Sequence, residues 1–224
     1  MRRAAALLAL LLIATPLVAR SLPIAAVQLL RATSATESWG CTAWAFRYPA
    51  GVTVMVSNAH CALDDQGKPS DADYTIGGVK AQLVAAAPDR DLSAFVREDY
   101  LTYAGRTLEL ATQAPRFDDD VVRIGYPAGI LLISRGVVSN PAVKWQFSPH
   151  PVALYDYHGG PGSSGSPVLD NSGRVIGMNA FGYGSYAGGP TLYDVRLFLL
   201  GDGGPLPKAT VAPADLKYRP VYGR

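Results

Sequence analysis

The chain has 224 residues, of which 17% are charged, and its formal net charge is +2. This near balance gives no reason to expect a nucleic acid or an anionic membrane surface as a partner. The 23 glycines, 17 prolines and 12 tyrosines argue against a helical bundle and favour β-structure with long loops. The length suits one two-lobed domain, or two small domains, with a sizeable core.

The first 21 residues have the pattern of a signal peptide. Arg2 and Arg3 precede residues 4–14, which carry no charged or polar side chain, and small residues follow at Ala19 and Ser21. The apolar run is short for a membrane span, which needs about 20 residues. We expect residues 1–21 to be removed, with an uncleaved anchor as the alternative. The mature protein is then secreted or periplasmic, with no membrane contact.

Export gives the two cysteines a meaning. Cys41 and Cys61 are the only cysteines. The compartment to which the protein would be exported permits disulfides, so we predict a bridge between them. Two free buried thiols are the alternative. No CxxC or HxxH pattern lies nearby, so we expect no metal site.

The chain then divides into a leader segment, two lobes and a tail. Residues 22–37 lack a clear period and indicate a spacer or short propeptide. From residue 38, short runs of Val, Ile, Phe, Tyr and Thr alternate with turn residues, which is typical of antiparallel barrels or a sandwich. Residues 201–224 indicate a surface-wrapped tail.

The expected main domain covers residues 38–200, with a first lobe at about 38–105 and a second at about 118–200. The acidic run 118–120 is interpreted as a solvated turn. The predicted strands of the first lobe are 42–48, 52–57, 79–85 and 92–96. Those of the second lobe are 121–126, 131–139, 152–155, 167–169, 174–181 and 191–198. No helix longer than two turns is expected.

The Gly-Ser loop at 159–167 is the strongest candidate for a nucleophile. A serine hydroxyl is a poor nucleophile at neutral pH, so it needs a tight turn beside a base and backbone N–H donors. The N–H groups of Gly162 and Ser164 are placed to face a developing oxyanion, and Gly165 lets the backbone bend away. A flexible hinge is the alternative reading of this loop taken alone.

Three histidines are candidates for the base. His60 ends an apolar strand next to the predicted disulfide, which is a rigid place to hold an imidazole. His150 stands between two prolines, as a loop residue does. His158 is too close along the chain to reach the Ser164 hydroxyl, although it is placed to line a pocket. We therefore select His60, with a purely structural histidine as the alternative.

Asp91 is the candidate for the carboxylate that fixes the tautomer of His60. It stands at the start of the apolar strand 92–96, whereas its competitor Asp89 lies farther from that strand. The order His60, Asp91, Ser164 places two members in the first lobe and one in the second. A cleft between the lobes would assemble the site.

These blocks resemble the catalytic blocks of the chymotrypsin-like serine peptidases. The matching segments are Ser57-Asn58-Ala59-His60-Cys61, residues 91–95 and residues 162–167. Further segments are similar to the bacterial HtrA (Deg) branch, namely 87–92, 121–129, 136–139 and 173–179. The resemblance covers residues 38–198 and implies two antiparallel six-stranded β-barrels with the active site between them.

The resemblance also implies roles for individual residues. It makes His60 the general base, Asp91 its orienting partner and Ser164 the nucleophile. The oxyanion hole would be formed by the amides of Gly162 and Ser164, with that of Ser163 as a helper. Cys41 and Cys61 match the disulfide that straddles the histidine in the animal enzymes.

Four departures limit what the resemblance implies. Ser163 replaces the aspartate that pairs with a new amino terminus in trypsin-type enzymes, so that activation switch is not expected. Ser166 replaces a common glycine and should not affect the chemistry. Asn179 stands where glutamate-specific relatives carry a histidine, so their specificity is not expected. Too few residues follow Leu200 to build a PDZ domain.

We expect a modest, mostly apolar substrate pocket beside Ser164. One wall is predicted from Tyr157, His158, Gly159 and Gly160. The other is predicted from the strand Asn179, Ala180, Phe181 and Gly182, the last three near the substrate backbone. His158 at the base would favour an acidic side chain.

The predicted function is an exported serine endopeptidase that cleaves proteins or peptides through an acyl-enzyme, without cofactor or metal. The alternatives are a non-catalytic module that uses the peptidase fold for binding, and a hydrolase of small esters. The oligomeric state is not predicted.

Overall fold

The computed structural model describes residues 22–201. The predicted signal peptide at 1–21 lies outside the described residues, as does all of the predicted tail except Gly201. None of the helices among residues 22–201 has the length and apolar character needed to cross a membrane.

The first lobe is a closed barrel of six antiparallel strands. They are β1 (Val27–Thr33), β2 (Ser38–Arg47), β3 (Thr53–Ser57), β4 (Asp73–Ile76), β5 (Val79–Ala87) and β6 (Leu92–Arg97). The strands follow the order β1-β2-β3-β6-β5-β4, and β1 closes the barrel by pairing with both β2 and β4. Leu30, Met55 and Phe95 are buried together in one apolar cluster of this lobe.

Strand β1 corrects the expectation that residues 22–37 are a spacer. Val27, Leu30 and Ala32 are buried on this strand, and the exposed residues between them do not alternate regularly. A strand with an irregular burial pattern has no clear period of 2, which is why the sequence did not reveal it. The first barrel therefore begins well before residue 38.

The second lobe is a sheet of seven antiparallel strands. They are β7 (Asp120–Gly125), β8 (Leu132–Val143), β9 (Val152–Tyr155), β10 (Pro167–Leu169), β11 (Val175–Met178), β12 (Phe181–Tyr183) and β13 (Tyr186–Pro190). Their order is β11-β10-β7-β8-β9-β13-β12. The sheet curls so that β11 contacts β13, and Gly177 forms a bridge with Thr191.

The all-β, two-lobed architecture agrees with the sequence prediction, and the second lobe adds detail to it. The run 174–181, predicted as one strand, is divided into β11 and β12. The hairpin of β12 and β13 brings the strand number of this lobe to seven rather than six.

A helix replaces the strand predicted at 191–198. Helix α1 spans Leu192–Leu200. Thr191 caps its first turn, because its hydroxyl accepts from the Asp194 N–H at 3.3 Å and the Asp194 carboxylate accepts from the Thr191 N–H at 3.2 Å. Val195, Phe198 and their neighbours are buried at helical spacing. The β-branched and aromatic content of this short segment made the strand prediction wrong.

The two lobes share one apolar core. Trp44 and Leu92 from the first barrel pack in a single cluster with Ile124 and Leu169 from the second lobe. Phe198 of α1 belongs to the same cluster. Burial of about 1.5 to 3 kcal/mol for each such side chain fixes the lobes against each other.

The predicted disulfide between Cys41 and Cys61 is confirmed. It ties β2 to the short 3-10 turn Ala59–Cys61 that carries His60. Closing a loop with a sequence separation of 20 stabilises the fold by about 3 kcal/mol in the chain-entropy model.

Leu30→Ala tests the structural role of β1. Leu30 is 1% exposed, so truncation should lower the free energy of unfolding by about 3 kcal/mol, measured by urea denaturation of the mature protein. Leu29→Ala on the same strand is the matched control, because Leu29 is only half-buried and should cost about 1 kcal/mol or less. Equal small losses for both variants would contradict a barrel strand here.

Candidate active site

His60 is held by a rigid turn at the end of β3. The 3-10 turn Ala59–Cys61 follows Asn58, and Cys61 is anchored by the disulfide. A buried strand, a short 3-10 turn and a disulfide thus follow one another along the chain. The imidazole is consequently fixed by its own backbone and not only by its side-chain contacts.

Asp91 faces His60 from the start of β6. Its carboxylate accepts from Nδ1 of His60 at 2.9 Å and from the His60 backbone N–H at 3.0 Å. Asp91 has a left-handed backbone, with φ of 53°, which costs a non-glycine residue about 1 to 3 kcal/mol. The Asn58 side chain, which donates to the Asp91 carbonyl at 2.8 Å, helps to hold this conformation.

The carboxylate that meets His60 is therefore that of Asp91. The competing Asp89 instead accepts from Nε2 of His150 at 3.0 Å. This second histidine–carboxylate pair lies on the surface, with the Asp89 side chain 43% exposed.

Two opposing effects act on the pKa of His60. Burial lowers it, whereas the charge of Asp91 and the hydrogen bond to Asp91 raise it. The net effect is a pKa above the ordinary 6.5. Because Nδ1 carries the proton donated to Asp91, Nε2 is the nitrogen left to accept a proton at neutral pH.

Ser164 lies on a turn that only glycines can shape. Gly162 and Gly165 have φ of 89° and 83°, and a Cβ on Gly165 would lie 2.0 Å from the Thr42 carbonyl oxygen. Ser164 is 9% exposed, and its hydroxyl donates to the Ala180 carbonyl at 3.1 Å. The sequence prediction of a tight turn at these glycines agrees with this geometry.

Asn58 connects the three predicted blocks. It precedes His60 by two residues, its side-chain NH₂ group donates to the Asp91 carbonyl, and its side-chain oxygen accepts from the Gly165 N–H. One buried amide thus links the histidine turn, the aspartate and the serine loop. Asn58 belongs to the histidine block identified from the sequence, but no role was predicted for it, because a buried amide has no sequence pattern of its own.

Every carbonyl of the serine loop from residue 160 to 164 has a donor. The pairs are Gly160 with the Ser163 N–H, Pro161 with the Ala128 N–H, Gly162 with the Thr42 hydroxyl, Ser163 with the Asn179 amide and the Ser166 N–H, and Ser164 with the Thr42 N–H. Sequence reasoning missed Thr42 and Ala128, which are distant from this loop along the chain.

The amides of the same loop are only partly used. Gly160 N–H donates to the Ser163 hydroxyl and Ser163 N–H to the Gly160 carbonyl. Within residues 22–201, the N–H groups of Gly162 and Ser164 donate to no protein acceptor. These two amides match the predicted oxyanion pair. The expectation that the Ser163 amide helps is wrong, since a turn hydrogen bond at 2.9 Å already occupies it.

The residues predicted to line the pocket differ in burial. His158 is exposed, whereas the base of a pocket would be buried, because the preceding Tyr157 takes the interior position. Asn179 is 1% exposed and lies beneath the serine loop, where its amide contacts Ser163. The acidic preference expected from His158 stays a prediction.

The two predicted walls of the pocket are in contact at Gly159. A Cβ on Gly159 would lie 3.1 Å from the Gly182 Cα and 3.3 Å from the Phe181 carbonyl oxygen. These backbones are in contact, so a large side chain enters only if the segments move apart.

Strand β12, which carries Phe181 and Gly182, is the terminal strand of the second-lobe sheet. Its outer edge has no neighbouring strand among the residues that the structure describes. Ala180, just before it, is bonded to both the Ser164 hydroxyl and the Gly188 carbonyl. An extended peptide on this edge would lie next to Ser164, as sheet edges allow.

One group of metal-ligating residue types surrounds His60. Donor atoms of Cys41, His60 and Cys61 lie within 4.8 Å of one another. The two sulfurs are joined in the disulfide, so neither supplies the thiolate that a metal would need.

Comparison with known proteins agrees with this geometry. The model of the trypsin-like peptidase domain matches residues 41–178. No curated protein sequence matches the chain. Among solved structures, the active form of the Rv3671c protease from M. tuberculosis is similar with a TM-score of 0.66 and 19% identity, over 85% of this chain and 87% of that chain.

Two further structures share the fold. The HtrA-type protease AlgW with a tripeptide gives a TM-score of 0.62 and 22% identity, over 81% of this chain and 62% of that one. The serine endoprotease from Yersinia pestis gives 0.63 and 15%, over 79% and 62%. The chain therefore belongs to the trypsin-like peptidase domain family, and it is a serine endopeptidase of the chymotrypsin-like fold.

Proposed function

We propose that the protein is an exported endopeptidase that cleaves peptide bonds through an acyl-enzyme on Ser164. The observation that carries this proposal is the joint placement of the His60–Asp91 pair and the serine loop by Asn58, with two unused amides beside Ser164. The predicted signal peptide and the disulfide support export.

The reaction begins with transfer of the Ser164 proton. The hydroxyl leaves the Ala180 carbonyl and gives its proton to Nε2 of His60 while Oγ attacks the substrate carbonyl carbon. Asp91 stabilises the resulting imidazolium through its bond to Nδ1. Formation of the imidazolium is favoured because the Asp91 charge raises the pKa of His60, which makes Nε2 a stronger base.

Negative charge then develops on the substrate oxygen. The N–H groups of Gly162 and Ser164 need no other bond to be broken before they donate to this oxyanion, so little reorganisation is required. His60 returns its proton to the leaving amine, and the C–N bond breaks to give the acyl-enzyme and a free amino terminus. Water activated by His60 hydrolyses the ester and restores Ser164.

Substrate binding is proposed at the edge of β12. A peptide there would lie beside Phe181 of this terminal strand, which brings its scissile bond toward Ser164. The closed contact between Gly159 and Gly182 favours a small side chain next to the scissile bond.

Labelling with a fluorophosphonate probe tests the nucleophile. We expect covalent modification of the mature protein at Ser164, located by peptide mapping, and casein hydrolysis by the same preparation. Ser164→Ala and His60→Ala should abolish both signals, with loss of hydrolysis by several powers of ten. Ser148→Ala and His150→Ala are matched controls that should label normally. A folded wild-type protein that hydrolyses casein while labelled elsewhere would contradict Ser164 as nucleophile.

Asp91→Asn tests the role of the carboxylate through the pH profile. In the wild type, kcat/KM should rise with pH through a midpoint above 6.5, because His60 must be neutral to act as base and its pKa is raised. The variant should lose about four orders of magnitude in kcat. Its midpoint should fall, since burial still lowers the pKa of His60 and the opposing charge is gone.

Asp89→Asn is the matched control for this profile. It removes the carboxylate bonded to His150 and should leave both rate and midpoint unchanged. An Asp91→Asn variant with a wild-type midpoint, or an Asp89→Asn variant that loses activity, would overturn the assignment.

A further inference from the structure

The Thr42 hydroxyl makes two hydrogen bonds that both leave its own lobe. Thr42 lies on β2 of the first barrel and is fully buried. Its Oγ accepts from the Tyr126 N–H at 2.9 Å and donates to the Gly162 carbonyl at 2.9 Å. Barrel closure uses neither bond, because β2 pairs with β1 and β3 through its backbone.

These two bonds control the peptide planes on both sides of Gly162. The plane of residues 162 and 163 is held directly, through the Gly162 carbonyl. The plane of residues 161 and 162 is held by the Ala128 N–H, which donates to the Pro161 carbonyl at 2.8 Å. Tyr126 is the N-cap of the short segment Pro127–Gly129, in which Ala128 has a left-handed backbone with φ of 50°. Thr42 therefore anchors the start of the segment that holds this second plane.

The direction of the Gly162 N–H follows from this arrangement. In a trans peptide the N–H points away from the carbonyl of the same plane. With the Pro161 carbonyl turned toward Ala128, the Gly162 N–H faces the opposite side, where it has no protein acceptor among residues 22–201. A Cβ on Gly162 would lie 2.6 Å from the Tyr126 carbonyl oxygen, so the two segments also pack without room for rotation.

The three side chains that hold this loop, Thr42, Asn58 and Asn179, are all neutral. Thr42 and Asn58 act from the first lobe, and Asn179 acts from the second, where its amide donates to the Ser163 carbonyl and hydroxyl at 3.3 and 3.2 Å. Ser163 stands at the position where trypsin-type enzymes carry the aspartate that pairs with a new amino terminus. The loop conformation therefore does not depend on an ion pair with a new amino terminus.

We propose that Thr42 is a positioning residue for the oxyanion hole: its hydroxyl joins Tyr126 to Gly162 and so fixes the Gly162 N–H toward the reacting carbonyl. The proposal rests on the proposed function, because it assigns a role within that reaction. Thr42 touches no substrate. It acts through the two peptide planes and leaves substrate binding at β12 unchanged.

Thr42→Val provides the test, because valine keeps the shape of the side chain and removes only the hydroxyl. We expect kcat for a fluorogenic peptide selected from a cleavage library to fall by about ten- to a hundredfold, less than the loss of a whole oxyanion donor, with KM changed less than about twofold. The affinity of a peptide boronate, which forms a tetrahedral adduct, should fall by the same factor as kcat. Thr42→Ser keeps the hydroxyl and should retain kcat within about threefold.

Thr53→Val is the matched control. Thr53 is also buried, and its hydroxyl accepts from Arg47 within the first barrel, so the variant removes a comparable bond without touching the serine loop. It should keep the wild-type kcat and boronate affinity even if its unfolding midpoint drops. Thr42→Ala serves in the same comparison if Thr42→Val does not fold.

Three results would overturn the inference. They are a folded Thr42→Val variant with wild-type kcat, a loss confined to KM, and a Thr42→Ser variant as impaired as Thr42→Val. Failure of the wild type to hydrolyse any peptide or to react with a fluorophosphonate is a different outcome. That outcome rejects the proposed function before Thr42 is tested.

Discussion

Two buried polar side chains of the first barrel, Thr42 and Asn58, hold the serine loop of the second lobe in place. Backbone polar groups that are buried away from water need hydrogen-bond partners. Leaving one such group without a partner costs about 1 to 3 kcal/mol. Thr42 satisfies two loop carbonyls, through its N–H and its hydroxyl, and Asn58 shares the Gly165 N–H with the Asn179 carbonyl. The shared apolar core brings the lobes together, and these bonds set their alignment at the site.

The hydrogen bonds to the loop carbonyls also fix the directions of two amides that have no protein acceptor among residues 22–201. Each carbonyl from residue 160 to 164 already has a donor, which restricts rotation of the intervening peptide planes. Within the described residues 22–201, the loop amides without a protein acceptor are those of Gly162 and Ser164. An enzyme that stabilises a transient negative charge needs donors that are already oriented, because turning them during the reaction would cost part of the gain. Asp91, in its strained backbone conformation, supplies the same kind of fixed orientation for His60.

The sequence predicted the parts of the molecule that depend on local pattern. Glycine spacing predicted the serine turn, and the cysteine pair predicted the disulfide. Short apolar runs predicted most strands, although β4 and β13 carry too few apolar residues to be recognised. The error at α1 arose because Thr191, Val195 and two aromatic residues made the run 191–198 resemble a strand, while its burial pattern is decided by packing against the interlobe core.

The sequence did not predict contacts between distant polar groups. Thr42 and Gly162 are far apart in the chain, and a single hydroxyl leaves no periodic signal. The positions of His158 and Asn179 were predicted from chain order alone. Whether a side chain faces solvent, as His158 does, or lies under the loop, as Asn179 does, depends on the local twist of the backbone.

The most direct test of this account is NMR of the backbone amides in a boronate adduct of the mature protein. The account predicts that the amide proton resonances of Gly162 and Ser164 move strongly downfield when the tetrahedral adduct forms, because both N–H groups acquire an anionic acceptor. The Ser163 resonance should stay close to its position in the free protein, since its bond to the Gly160 carbonyl persists. A large shift of Ser163, or unmoved resonances of Gly162 and Ser164, would contradict the oxyanion hole described for this protein.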